Sequence, residues 1–111
     1  MRIVKRRELM ELPSGTLYVE MNGGFPIGDL CIKGKSSSGD FTMRSIAWAS
    51  SHDFGETIER FSAMFADSSV SFPAEADYGR DGMFDDDQSF LVFEQADVVS
   101  IVDDLRKAYQ L

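Results

Sequence analysis

Thr16-Leu17-Tyr18-Val19-Glu20-Met21, followed at once by Asn22-Gly23-Gly24, decides the fold class. Leu17, Val19 and Met21 alternate with Thr16, Tyr18 and Glu20, which is the two-residue period of a half-buried strand. Asn-Gly-Gly is turn chemistry, because glycine takes a positive φ without a Cβ clash. The chain then runs through Phe25-Pro26-Ile27-Gly28-Asp29 into a second apolar stretch, Leu30-Cys31-Ile32-Lys33. This order predicts an antiparallel hairpin with a longer loop.

Outward from the hairpin, residues 34–39 are small and polar and read as an exposed loop tip. Residues 40–46 alternate again and continue into Ala47-Trp48-Ala49, a third strand, with the lone Trp48 partly in the core. On the N-terminal side, Leu9 and Leu12 lie three apart and Pro13 follows, which predicts one or two helical turns over residues 5–12. The basic run Lys5-Arg6-Arg7 at their start reads as a solvated helix face.

The second half is helical in period. Asp53 with Glu56 three residues on has the pattern of an N-cap, and Phe54, Ile58, Phe61 and Phe65 then fall at i, i+4, i+7 and i+11. That stripe predicts a helix over residues 53–66 turned toward the core. Residues 74–89 are low in hydrophobicity and read as a loop anchored by Tyr78, Met83 and Phe84. Phe90-Leu91-Val92-Phe93 has the form of a buried strand. A last helix over residues 95–109 aligns Val98, Ile101, Val102, Leu105 and Tyr109, with Arg106 and Lys107 at its C-terminal end. The expectation is a single α+β domain over residues 1–111, a mainly antiparallel sheet of about four to five strands with two main helices packed on one face.

A chain of 111 residues, 43% of them hydrophobic, suffices for one core and not two. No apolar run reaches the roughly 18 to 20 residues of a membrane span, and charge at residues 2–7 occupies the place of a signal peptide's apolar stretch. A cytoplasmic protein with no membrane partner is expected. One cysteine and one histidine leave too few soft ligands for a structural zinc site within one chain. No phosphate-cradling glycine motif follows a strand, so no cofactor is expected.

The net charge of -8 is unevenly placed: seven basic residues face six acidic ones in residues 1–55, and four face thirteen in residues 56–111. Such a surface repels a phosphate backbone, which disfavours direct nucleic-acid binding. Glu75, Asp77, Asp81, Asp85, Asp86 and Asp87 crowd into thirteen residues with Arg80 as the one basic offset. Three readings compete for them. Residues 77–88 partly match the spacing of a calcium loop, with Asp77, Asp81, Gly82 and Asp85 in place, but Gly79 and Gln88 break the pattern. A solvated loop that keeps the protein soluble is the plainest reading. The functional one is a docking surface in which Asp81, Phe84, Asp85, Asp86 and Asp87 engage a protein partner with a basic surface.

Ser50-Ser51-His52-Asp53 sets hydroxyl, imidazole and carboxylate side by side, yet triad members converge from separated positions, and Asp53 is better explained as a cap. Cys31 in a strand reads as a buried structural thiol. A small enzyme would have to draw on Asp81, Asp85, His52 and Cys31, and the sequence gives it no other support. An apolar face left on helix 53–66 would let a second copy complete the core, so a homodimer stands beside the protein-partner reading.

Two stretches, residues 8–16 (ELMELPSGT) and residues 81–94 (DGMFDDDQSFLVFE), resemble small proteins of phages, prophages and other bacterial mobile elements. The resemblance carries no site residues or activity. It implies a bacterial cytosolic setting and an accessory protein that binds a host component; the acidic surface itself is what an inhibitor or modulator of a nucleic-acid-handling machine would carry.

Overall fold

The computed structural model describes residues 1–49 and 53–111, without the side chains of Ile27, Ala47 and Trp48. The chain order is β1 (Arg2–Lys5), α1 (Arg6–Glu11), β2 (Leu17–Asn22), β3 (Phe25–Ser37), β4 (Asp40–Ala49), α2 (Phe54–Ala66), β5 (Ala74–Arg80), β6 (Ser89–Phe93) and α3 (Gln95–Tyr109). The fold is α+β. Among the described residues six strands form one antiparallel sheet in the order β1-β6-β2-β3-β4-β5.

The quoted hairpin forms, with Leu17 opposite Ile32, but in place of the longer loop Asn22 stands opposite Phe25 across the two residues Gly23-Gly24, and β3 begins at Phe25. The expected loop over residues 34–39 is shorter than predicted. β3 and β4 extend to Ser37 and Asp40, and only Ser38 and Gly39 turn the chain, with φ of 53° and 77°. Positive φ at both central residues is the type I′ turn, whose twist matches that of the flanking strands.

Alternation sorts the side chains onto two faces. Val4, Tyr18, Cys31, Phe41, Phe90 and Val92 lie on the inner face and, with Leu9 of α1, make the buried core. The rings of Tyr18, Phe41 and Phe90 meet edge to face, with centroids 5.5 to 6.1 Å apart. β5 and β6 run in the same direction at opposite sides of β2, β3 and β4, so residues 81–88 must carry the chain back along the sheet. They cross beside α1, and together the two cover the inner face.

Several expectations need correction. The sheet gains β1 and the edge strand β5, so residues 74–80 are not loop. The two long helices do not pack together on one face. In α2 only Thr57 is buried, and Phe54 and Phe65 are 78% and 93% exposed, so the phenylalanine stripe is not core. No residue of α3 is buried. The radius of gyration, 15.7 Å, exceeds the roughly 13 Å of a compact domain near this size. Arg6 is not on a solvated face: it is 2% exposed. Tyr78, Met83 and Phe84 are exposed and do not anchor their segment in the core. The start of α2 does follow the sequence, since Asp53 Oδ1 accepts the Glu56 amide at 2.8 Å, and α3 opens on a reciprocal capping box between Glu94 and Asp97.

Candidate functional site

The site is built around Arg6, the first residue of α1. Its Nη1 donates to Asp81 and to Gln88 Oε1 at 3.1 Å, and its Nη2 donates to the Gly39 carbonyl at 3.1 Å and Asp40 Oδ1 at 2.9 Å. The guanidinium carbon lies 5.2 Å from the Phe41 ring centre and 5.5 Å from that of Phe84. Arginine suits this place because its planar fork serves two carboxylates while its faces stack on aromatic rings. Burial alone would lower its pKa, but the bonds to Asp81 and Asp40 outweigh that and raise it.

Asp40 is 1% exposed and is held from several sides. It accepts the Gly82 amide at 3.1 Å, and Arg80 approaches its other oxygen at 3.2 Å. Burial opposes its charge, yet the amides of Gly82 and Phe41, the Arg6 guanidinium and the Arg80 charge hold its carboxyl below the usual range. Gln88 completes the cluster by donating to Glu20 Oε1 at 2.8 Å and to Asp81 Oδ1 at 3.3 Å. Among the described residues no buried side-chain nitrogen or oxygen lacks a hydrogen-bond partner. The cluster therefore ties both ends of the 81–88 crossover to α1 and the sheet.

From that base the middle of the crossover faces outward. Asp85, Asp86 and Asp87 are exposed in succession, and Phe84 beside them is 58% exposed at a φ of 52°. The Asp87 amide donates to Asp85 Oδ1 at 3.0 Å, an Asx turn, and Lys5 Nζ donates to the Asp87 carbonyl at 3.1 Å. A cavity of about 440 Å³ opens between this rim and α1, lined by Arg7, Met10, Ser36, Phe84 and Asp86 among others. Four of the five residues singled out in the sequence thus stand outward together, while Asp81 is turned inward onto Arg6. The edge strand β5, exposed throughout, adds Glu75 and Asp77 to the acidic surface.

The calcium spacing does not become a ligand cage. Asp77 lies in β5 opposite Ser45, and Asp81 is bound to Arg6, so the residues of the pattern diverge. Among the described residues no group of three or more His, Cys, Asp or Glu side chains is placed to hold a metal ion. Cys31 is buried, its thiol pKa raised chiefly by desolvation, with Ser45 Oγ 3.8 Å away. A thiol so placed is a poor nucleophile. The Ser50-Ser51-His52 part of the triad motif lies outside the described residues, as does the side chain of Trp48.

Sequence reasoning missed Arg6, Asp40, Gln88 and Glu20. Their contacts span up to 82 residues, and nothing local distinguishes a buried arginine from its exposed neighbours. No helix among the described residues is long and apolar enough to cross a membrane. Comparison of the chain with known protein families, with curated proteins and with solved structures finds no match.

Proposed function

We propose that this protein is an interaction module that docks its acidic crossover on a basic surface of a protein partner. The observation that carries the reading is the outward row Asp85, Asp86 and Asp87 on a loop fastened at its base by the buried Arg6 cluster. A loop already held in one conformation loses little entropy on binding, so its charges are more effective than those of a mobile tail. Clustered carboxylates steer association with a cationic partner, and Phe84, half-exposed beside them, supplies an apolar anchor. A groove that ordinarily accepts nucleic-acid phosphates has the matching charge. The resemblance to mobile-element proteins favours such a host machine, in the bacterial cytoplasm, as the target, and inhibition or modulation as the outcome.

The test is capture from bacterial lysate at low and high salt by the native protein and by Asp85→Asn/Asp86→Asn/Asp87→Asn. These three side chains lie outside the Arg6 cluster, so the variant should melt like the native protein. A basic partner retained at low salt, released at high salt and missed by the variant supports the reading. Equal capture by both proteins, or none by either, overturns it.

A further inference from the structure

On the outer face of the sheet a cavity of about 640 Å³ opens over β3, β4 and β5. Register puts Ile32, Arg44 and Tyr78 in one row across these strands, and Thr42 and Arg80 in the next. Gly34 lies beside Thr42 and has no room for a side chain. Thr42 Oγ1 leans over it to accept the Lys35 amide at 3.1 Å, and an added Cβ would collide with that oxygen. The missing side chain lowers the surface between Ile32 and Arg80, and the cavity forms there.

The charge of this cavity is opposite to that of the chain. The net charge is -8, yet among the described residues no acidic one lines the cavity, whereas Arg44 and Arg80 do. Asp77, next to Tyr78, stands opposite Ser45 and so belongs to the other face. Arg2, Arg6, Arg60 and Arg80 each meet a carboxylate. Arg44, which is half-buried, meets none among the described residues; its Nη1 donates to the Tyr78 hydroxyl at 3.4 Å. A guanidinium has five N–H donors, so most of the Arg44 fork is unused. Arg80 turns Nε and Nη2 to Asp40, which leaves its Nη1 for a second anion.

We propose that this cavity binds a small aromatic carboxylate. The carboxylate takes two parallel N–H bonds from the Arg44 fork, the pairing that a planar guanidinium favours. The Tyr78 hydroxyl, which accepts from Arg44, has its own proton to donate to the same anion. The ring lies over Gly34, where no side chain stands in the way, between Ile32 and Tyr78. A wholly polar anion such as phosphate would leave those two walls uncovered, and a neutral ring would leave the Arg44 charge unanswered. The volume lies within the roughly 300 to 1,000 Å³ of small-molecule sites. The site is on the opposite face of the sheet from the acidic crossover and does not depend on the docking role proposed for it.

Titration of the isotope-labelled full chain with 2-naphthoate, followed through its amide NMR signals, tests the proposal. Saturable shifts are expected at Gly34, Thr42, Arg44 and Gly79, and none along α3, whose exposed apolar stripe reports unspecific adhesion. 2-Naphthamide, which has the ring without the charge, should bind more weakly by about tenfold or more. Arg44→Gln should keep the native spectrum elsewhere and bind acid and amide alike. No saturable shift, shifts that spread over α3, equal affinity of the native protein for acid and amide, or undiminished affinity for the acid in a folded Arg44→Gln variant would each overturn it. Should Arg44→Gln fail to fold, the comparison of acid and amide on the native protein decides alone.

Discussion

The guanidinium of Arg6 donates to the carboxylate of Asp40 at 2.9 Å, across 34 residues of chain, with both side chains almost wholly out of water. The pair joins the start of α1 to the β3–β4 hairpin, and Asp81, on the other Arg6 nitrogen, brings in the crossover. Three segments remote in sequence are therefore registered by one cation. Buried ion pairs often add little net stability, but removing one member leaves an uncompensated charge in a medium that solvates it poorly.

Arg6→Ala should destabilise the protein by about 3 to 5 kcal/mol, because it leaves Asp81 without its cation and buried Asp40 with Arg80 alone. Arg6→Lys keeps the charge but not the fork, and should fall between the two. Urea unfolding of both variants, in a cycle with Asp40→Asn, measures the coupling. Additive losses from Arg6→Ala and Asp40→Asn would show that the pair does not hold the fold together.

The depressed pKa of Asp40 gives a pH dependence of definite sign. The folded state binds the Asp40 proton less readily than the unfolded state, so the stabilisation is fully present above the ordinary aspartate value, about 3.9, and is lost as pH falls through the folded value. Melting temperature should hardly depend on Asp40 from neutrality down to about pH 4, then drop. Asp40→Asn should flatten that acid limb while lowering stability near neutrality. An acid limb as steep in Asp40→Asn as in the native protein would assign the loss to other carboxylates.

β2 was legible as a strand from its alternation, but which of its faces is buried was not: Tyr18, from the more polar set, is 3% exposed, while Leu17 and Val19 on the apolar set are only half-buried. β5 was not legible, since all seven of its residues are exposed and no face constrains their polarity. The start of α2 was legible because Asp53 acts on an amide three residues on, whereas the Glu94–Asp97 box that starts α3 was seen only in the structure. What each helix packs against was not legible, since a stripe such as Ile101, Val102 and Leu105 specifies an apolar neighbour without saying which one. The outward acids of the candidate site were visible as a cluster. The buried cation that orders them was hidden in a basic run, because only the fold brings Asp40, Asp81 and Gln88 to Arg6.

Gly82 marks the point where the crossover meets this cluster, with a φ of 68° and its amide donated to Asp40. No atom would clash with an added Cβ, so the cost of Gly82→Ala is conformational, about 1 to 2 kcal/mol for a left-handed alanine. Gly23→Ala, also at positive φ in open space but outside the Arg6 cluster, is the matched control in the β2–β3 turn. Only Gly82→Ala should speed amide exchange across residues 83–87. Equal exchange in the two variants would separate loop order from the Asp40 contact.

Lys33 offers the opposite case, a buried charge whose loss should help. It is 3% exposed, its Nζ donates to the Gly34 carbonyl at 2.9 Å, and burial lowers its pKa. The folded state thus disfavours the ammonium, and the penalty is greatest below the folded pKa and fades as pH climbs toward the ordinary lysine value of about 10.4. Lys33→Met keeps the linear shape without the charge and should stabilise the protein by about 1 to 2 kcal/mol near neutrality. For a domain of this size that is a rise of roughly 4 to 8 °C in melting temperature per kcal/mol. The gain should shrink in melts at alkaline pH. A Lys33→Met protein that melts lower at neutral pH would show that the bond to Gly34, with the packing of the ammonium, outweighs the cost of desolvating it.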